Sequence, residues 1–311
     1  MTGMSATASP FPRRSRSRGA KLIATLTSRG FVWLILIVLL VFFVLPVVWL
    51  LLAPTKTDAG LVASSPLSFG SLAGLGAAWS HLVDFQGAAI LVWLKNSAEY
   101  SVGALIINLI ATIPAGYGLA LTKFRGRTAL LSLTLVVMLV PTSALVLPVF
   151  LELSSVHLTG TAWSVILPFS FYPFGVYLTY IYYSTSLPRD LLSAARIDGC
   201  SEWQLFTQIA IPLAKPVIGL VAFFSFVDNW NNYFLPLVML AKPDDYTLPL
   251  GLQELLSSTP AFNPGEGGAQ LDIGRPELAL AVIISILPVL VLFLFSQRTL
   301  VSGLLAGATK E

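Results

Sequence analysis

Charge is what this sequence has least of. Asp, Glu, Lys and Arg together make up 11% of 311 residues, against 56% apolar residues and a mean hydropathy of +0.82. A soluble globular domain carries about 25% charged residues to keep its surface solvated, so a water-exposed enzyme is excluded. Disorder is excluded too, because it needs low hydrophobicity. Cysteine occurs once, at Cys200, so no internal disulfide forms. Histidine occurs twice, at His81 and His157, and no Cys/His cluster offers a metal cage. No G-x-x-x-x-G-K-[ST] run is present, so the chain brings no phosphate-cradling loop of its own. A formal net charge of +3 is small, its placement matters more than its size, and no nucleic-acid partner is expected. What is there instead is long apolar runs. They are continuous rather than alternating ten-residue segments, which points to an all-α membrane protein and not to a barrel.

A membrane-crossing helix needs about 20 apolar residues. Six stretches meet that need: 31–53, 98–122, 129–151, 162–184, 215–240 and 277–295. The first follows a basic tail and is too long for a signal-peptide core, so it reads as an uncleaved helix. Pro168 and Pro173 lie inside the fourth, where neighbouring helices or water can satisfy the freed carbonyls. Orientation follows the basic residues. Six precede the first span, Lys123, Arg125 and Arg127 follow the second, Arg189, Arg196 and Lys215 follow the fourth, and Arg298 and Lys310 follow the sixth. These fourteen of the eighteen basic residues fall on one side, so both termini are expected to be cytoplasmic. Two outer segments are long, 54–94 and 241–276. The first carries an apolar stretch at 67–79 that reads as a short interfacial helix. Either segment is a contact for an external partner or a solvated connector.

The loop between the fourth and fifth spans, 186–213, carries the most local information. Ser186 and Pro188 suit a helix start, Asp190 suits its first turn, and Gly199 suits a left-handed stop after Asp198. Ser201 and Gln204 form an S-x-x-Q capping box for a second short helix. The result is a helix–turn–helix at the membrane surface, which is either two connecting helices with no partner or a docking element, with Ala194 and Ala195 giving the first helix a smooth face on which another protein packs.

This stretch resembles the "EAA" loop of ABC-importer permeases, E-A-A-x-x-x-G followed by I-x-L-P. Ala194, Ala195, Asp198, Gly199, Ile209 and Pro212 match, while Ser193 stands at the motif's leading Glu. The stretches Trp93–Ser97, Ala115–Ala120, Lys123–Arg127, Val140–Pro141, Phe226–Asn231 and Thr247–Leu252, and the tail from Gln297 to Lys310, are similar to the carbohydrate-uptake branch, in particular its maltose-type second permease. The resemblance implies that Asp190, Ser193, Ala194, Ala195, Arg196, Asp198 and Gly199 couple to an ATPase. It implies no cofactor on this chain, with ATP and Mg on a partner ATPase dimer. It also implies a second homologous permease, an extracellular or periplasmic sugar-binding protein, surrounding lipid, and a bacterial cytoplasmic membrane location. The expected organisation is a basic, disordered tail at 1–30, a permease domain at 31–298 and a cytoplasmic tail at 299–311.

Inside the membrane, the fifth span holds one polar cluster: Asp228, Asn229, Asn231, Asn232 and Tyr233. Asp228, Asn231 and Asn232 are spaced to share a helix face. A central carboxylate costs about 2.5–3.5 kcal/mol, so it faces a cavity or a partner. The cluster therefore either lines a sugar pathway or joins two permease subunits. Span four's aromatics, Phe169, Phe171, Tyr172, Phe174 and Tyr177, either stack on sugar or pack. The function expected is ATP-driven sugar import. Import of glycerol phosphate, a polyol or a polyamine is the alternative within the architecture. A secondary transporter is disfavoured by the lack of an internal repeat and of a buried charge series.

Overall fold

Prolines and small residues decide where the helices of this chain run, where they touch and where they break. The computed structural model describes residues 18–260, 262 and 273–306, with side chains over 29–297. No strand occurs among them; the described residues are helical with short connections. Four helices are long and apolar enough to cross a membrane: Arg29–Thr55, Ala89–Leu121, Trp163–Thr185 and Arg275–Gln297. Two bent pairs raise the number to as many as six.

Helix α1 spans Arg18–Leu52 and carries no acidic residue. It starts inside the tail expected to be disordered, so residues 18–30 are helical; residues 1–17 lie outside the described residues. Its side chains from Phe31 to Val47 are exposed. A helix that is apolar on every side is suited to an apolar surrounding.

The remaining helices form one unit. Short helices α2 (Asp58–Ala63) and α3 (Leu72–Asp84) begin at Thr57 and Ser71, whose side chains accept from Gly60 N and Gly74 N. Helix α4, Ala89–Leu121, is the central column, packed against α7 (Trp163–Ser170), α8 (Pro173–Thr185), α12 (Lys215–Trp230) and α14 (Leu248–Ser257). Without water to hide behind, apolar helices associate through close packing and interhelical hydrogen bonds. Both occur here. A Cβ at Gly116 of α4 would collide with Thr179 of α8, so the two backbones meet directly. Thr179 Oγ1 donates to Thr112 O at 3.1 Å, and Asn108 Nδ2 donates to Ser225 Oγ of α12 at 2.8 Å. These four polar residues are fully buried. Polar glue thus exists in the chain, but at positions the sequence pattern did not single out.

The upper half of α4 fastens the connector that follows α13 (Phe234–Met239). Trp93 Nε1 donates to Pro243 O at 3.0 Å, and Asn96 Nδ2 donates to Asp244 O at 2.7 Å and Tyr246 O at 3.1 Å. Ser97 Oγ accepts from Leu248 N at 2.6 Å. Residues 243–248 are therefore tied to α4 through their backbone, while Ala241–Asp244 stay exposed. The Gly- and Pro-rich part of that segment, at 263–272, lies outside the described residues. Helix α15, Arg275–Ala306, closes the unit against α12, with Trp230 Nε1 donating to Ser285 O at 3.0 Å.

Three of the expected spans are interrupted. The third is two helices, α5 (Arg127–Met138) and α6 (Thr142–Ser155), bent by 105° about 139–141. Pro141 forces this: it offers no N–H and drives the preceding residue out of the helical region. The fourth breaks at Phe171 and Tyr172, where Pro173 starts α8 and Tyr172 takes φ −132°, ψ 78°. The fifth breaks after Trp230 and resumes as α13 at Phe234. Asn231 Nδ2 turns back to Val227 O at 2.9 Å, and Asn232 Oδ1 accepts from Leu235 N at 3.1 Å, capping the new helix.

Candidate functional sites: a cavity at three helix breaks and a docking loop

The three interruptions meet. Residues flanking all of them line one cavity of about 730 Å³. Broken backbone inside a membrane is tolerated where it lines a water-filled cavity, because the freed N–H and C=O groups need partners. Met138, Val140, Thr142 and Ser143 come from the first break, Phe171, Tyr172 and Pro173 from the second, and Asp228, Asn229 and Asn232 from the third. The volume lies within the range of about 300–1,000 Å³ usual for small-molecule sites.

Of the five residues expected to line a pathway, the structure brings three together. Asp228 is exposed to the cavity, with the Tyr172 hydroxyl in hydrogen-bonding reach of its carboxylate. Asn229 is 8% exposed, and its Nδ2 has no hydrogen-bond partner among the described residues. Asn232 is half-buried and uses its Oδ1 as the cap for α13. Asn231 and Tyr233 do not line the cavity. The expected shared face of Asp228, Asn231 and Asn232 assumed an unbroken helix. The helix stops at Trp230, so Asn231 points back along it and Asn232 is carried round to the cavity instead. Thr142 and Ser143 were not selected from the sequence as polar lining; Pro141, which breaks their span, was the signal.

Span four's aromatics divide. Phe169, Phe171, Tyr172 and Phe174 line the cavity, while Tyr177 and Tyr180 stack on each other with ring centres 6.3 Å apart. Such a wall offers ring faces beside a few hydrogen-bonding groups. That is chemistry suited to a polyhydroxylated ligand with apolar C–H faces.

The second site is the loop after α8. Helix α9 spans Arg189–Ile197 and starts at Pro188 with no side-chain cap; Ser186, expected as that cap, instead closes α8 by donating its backbone N–H to Tyr182 O at 2.8 Å. Gly199 has φ +87°, the left-handed stop expected of it, and Cys200 N closes the turn onto Ala195 O at 3.0 Å. The capping box forms: Gln204 N donates to Ser201 Oγ at 3.3 Å, and Ser201 N donates to Gln204 Oε1 at 2.8 Å. It opens α10 (Glu202–Gln204), which runs through a π-helical stretch at Leu205–Ala210 into α11 (Ile211–Leu213), bent by 72° from α12. Arg196 bridges the two arms, with Nε 2.7 Å from Glu202 Oε1 and a second bond to Oε2 at 3.2 Å. That bond holds the Glu202 carboxyl below its ordinary range.

Packing corrects the expected docking face. Ala195 is buried with Leu192, Leu205 and Phe206 against Tyr117 of α4 and Tyr183 of α8, so it holds the loop to its own chain. Asp190, Ser193, Ala194, Arg196, Asp198 and Gly199 are exposed. Ser193 Oγ is spent on Arg189 O, 3.1 Å away in the same helix. The outward surface carries two apolar residues the sequence pattern did not select, Ile197 at 86% exposure and Trp203 at 71%. The signal was there: Leu191, Ala194 and Ile197 form a second apolar row beside Leu192 and Ala195.

Comparison with known proteins agrees with this architecture. The profile described as "Binding-protein-dependent transport system inner membrane component" matches residues 108–305. The arabinooligosaccharides transport system permease protein AraQ of Bacillus subtilis is 36% identical over 227 residues, 73% of this chain and 76% of that protein. The diacetylchitobiose uptake system permease protein NgcG of Streptomyces coelicolor is 28% identical, covering 88% of this chain and 86% of its own. A solved bacterial ABC transporter, involved in import of the acidic polysaccharide alginate, has a chain of the same fold, with TM-score 0.74 and 20% identity over 93% of this chain and 99% of that one. The profile begins at Asn108, in the middle of the central column, and runs through both the cavity and the loop; this chain belongs to the family of binding-protein-dependent transport system inner membrane components, as a permease subunit.

Proposed function

We propose that the chain forms half of the translocation pathway of an ATP-driven oligosaccharide importer in a bacterial cytoplasmic membrane. The observation that carries this reading is the meeting of three helix breaks at one cavity with Asp228, Asn229 and Asn232 beside aromatic rings. The permease relatives named for arabinooligosaccharides and diacetylchitobiose support the sugar class. In this reading the chain crosses the membrane six times with both ends in the cytoplasm, as the lopsided distribution of basic residues supports. An external binding protein delivers the sugar, and a second permease completes the pathway. The loop at 186–213 inserts its outward face into a partner ATPase dimer, which holds the ATP and Mg. Because Leu192, Ala195, Leu205 and Phe206 anchor the loop on α4 and α8, a displacement at the ATPase is passed to the helices that frame the cavity.

The test is uptake in cells lacking this chain and in cells complemented with it, using labelled arabinotriose, maltotriose, glycerol 3-phosphate and spermidine. Restoration of a trisaccharide alone is expected. Restoration of glycerol 3-phosphate or spermidine alone, or of nothing, overturns the sugar reading. Topology is checked in the same cells with Cys200→Ser plus Ser257→Cys or Ser302→Cys. An impermeant thiol reagent is expected to label the former and spare the latter, and equal labelling overturns the orientation.

A further inference from the structure

The cavity's charge is as informative as its shape. Among its lining residues Asp228 is the one charged side chain, and no described Lys, Arg or His forms an ion pair with it. It stands exposed on the cavity side of α12, with the Tyr172 hydroxyl in hydrogen-bonding reach as a neutral donor. An uncompensated carboxylate in a confined site with low-dielectric walls sets the sign of the local potential, because the field is focused there rather than screened. Beside it, Asn229 Nδ2 is a buried donor with no partner among the described residues, and a buried donor left unmade is costly. A ligand that supplies an acceptor oxygen to Asn229 and hydroxyl donors to Asp228 satisfies both at once. A neutral sugar does so, since each hydroxyl both donates and accepts. A carboxylate, phosphate or sulfonate on a sugar puts an acceptor-only group where a hydroxyl could donate, and places like charge beside Asp228.

Resting on the pathway reading above, we infer that Asp228 is a charge filter: the pathway passes neutral saccharides and turns away anionic ones, with Asn229 as the donor that holds the neutral ring. Specificity of this kind needs a repulsive element against the wrong ligand as well as contacts to the right one. Asp228 supplies the first and Asn229 the second.

The filter can be read without knowing the natural sugar. Ser143 lines the same cavity from α6, and with Cys200→Ser the Ser143→Cys thiol is the one thiol of this chain, on which the reaction is read after the subunits are separated. In the assembled importer, the probes are two methanethiosulfonate reagents, one with a trimethylammonium head and one with a sulfonate head. With rates normalised to a free thiol, the cationic reagent is expected to react on the order of tenfold faster than the anionic one. Asp228→Asn removes the difference, and Asp228→Glu, which keeps the charge, preserves it. A ratio unmoved by Asp228→Asn overturns the filter. So does failure of both reagents to react, since the cavity is then closed to solutes in the complex. Uptake measured in parallel separates the two readings. If arabinotriose and maltotriose uptake do not depend on the chain while the thiol ratio behaves as expected, the sugar assignment falls and the filter stands. If trisaccharide uptake depends on the chain while the ratio ignores Asp228, the filter falls and the sugar assignment stands. Where both hold, Asp228→Asn is expected to raise the uptake of trigalacturonate relative to arabinotriose by about tenfold.

Discussion

The loop end and the cavity of this chain solve opposite problems with the same helices. At the loop, α4 and α8 are filled: Tyr117, Tyr183, Leu192, Ala195, Leu205 and Phe206 leave Ala195 only 9% exposed. Farther along the same helix bundle, breaks at 139–141, 171–172 and 231–233 open about 730 Å³ beside Asp228, Asn229 and Asn232. In the proposed function the packed end is the one suited to pass on a displacement, because close-packed side chains do not compress. A hollow one admits a solute because its backbone has been broken to make room. A permease needs both, and the difference teaches that rigidity and opening are assigned here to different levels of one scaffold.

Adding the same volume at each level is the harshest way to break this comparison. Ala195→Trp forces a large ring into the filled end. Overpacking of this kind costs about 1–3 kcal/mol, so the thermal midpoint of the purified complex is expected to fall and uptake with it. Ser143→Trp puts the same ring into space already present, so uptake is expected to collapse while the thermal midpoint stays at the wild-type value. Scanning fluorimetry of both complexes, alongside uptake, checks the pair. Equal destabilisation by both substitutions removes the distinction between a filled and a hollow level.

How much of this was legible in the sequence follows the same division. Local chemistry was readable. Gly199 as a left-handed stop and the Ser201–Gln204 capping box depend on residues within a few positions, and both formed. Long apolar runs located helices, though α4 begins at Ala89, nine residues before the expected start of its span, and α1 begins at Arg18. Side-chain direction was not readable. Ala195 turned inward because Leu192, Leu205 and Phe206 required a lid, and that is a tertiary demand. The face shared by Asp228, Asn231 and Asn232 failed because a helix break re-aims every residue beyond it. The prolines at 141 and 173 announced two of the breaks, and nothing in residue spacing said that they would meet. The polar glue Asn108–Ser225 escaped notice because single polar residues on apolar helices carry no periodic signal.

A gentler test separates the loop's shape from its outward surface. Gly199 has open space where a Cβ would sit, so only its φ of +87° opposes substitution. A β-branched residue there stores about 1–3 kcal/mol of strain or re-aims the second arm. Gly199→Val is therefore expected to reduce sugar-stimulated ATP hydrolysis and uptake together, leaving the isolated ATPase active, whereas Gly199→Asn, which tolerates the left-handed region, retains most activity. Ile197→Asp is expected to produce the same uncoupling with an unchanged thermal midpoint, and Trp203→Ala the same uncoupling with a slightly lowered one, because the Trp203 ring lies 5.8 Å from that of Phe206. Ser193→Ala is expected to be nearly silent, because its hydroxyl bonds only within its own helix. Normal coupling in Ile197→Asp and Trp203→Ala together moves the docking face elsewhere.

The smallest effect concerns the Arg196–Glu202 bridge between the two arms. Its side chains are 44% and 63% exposed, so water screens it, and pairs of this kind are worth about 0.2–1 kcal/mol. The Arg196 hydrogen bond depresses the Glu202 carboxyl below its ordinary value of 4.5. A depressed carboxyl binds its proton less readily folded than unfolded, so its stabilisation is complete above the ordinary value and disappears as pH falls through the lowered one. Glu202→Gln is thus expected to lower the thermal midpoint slightly at pH 7, with the gap from wild type shrinking as the pH is taken below 4.5, and also shrinking when salt is raised at pH 7. If the bridge only trims the loop's surface, coupling is unchanged by Glu202→Gln, in contrast to Gly199→Val. If it sets the angle between the arms, the coupling ratio of ATP hydrolysed to sugar imported moves with pH in step with the midpoint. A gap that persists unchanged at low pH means that Glu202 contributes by shape and not by charge.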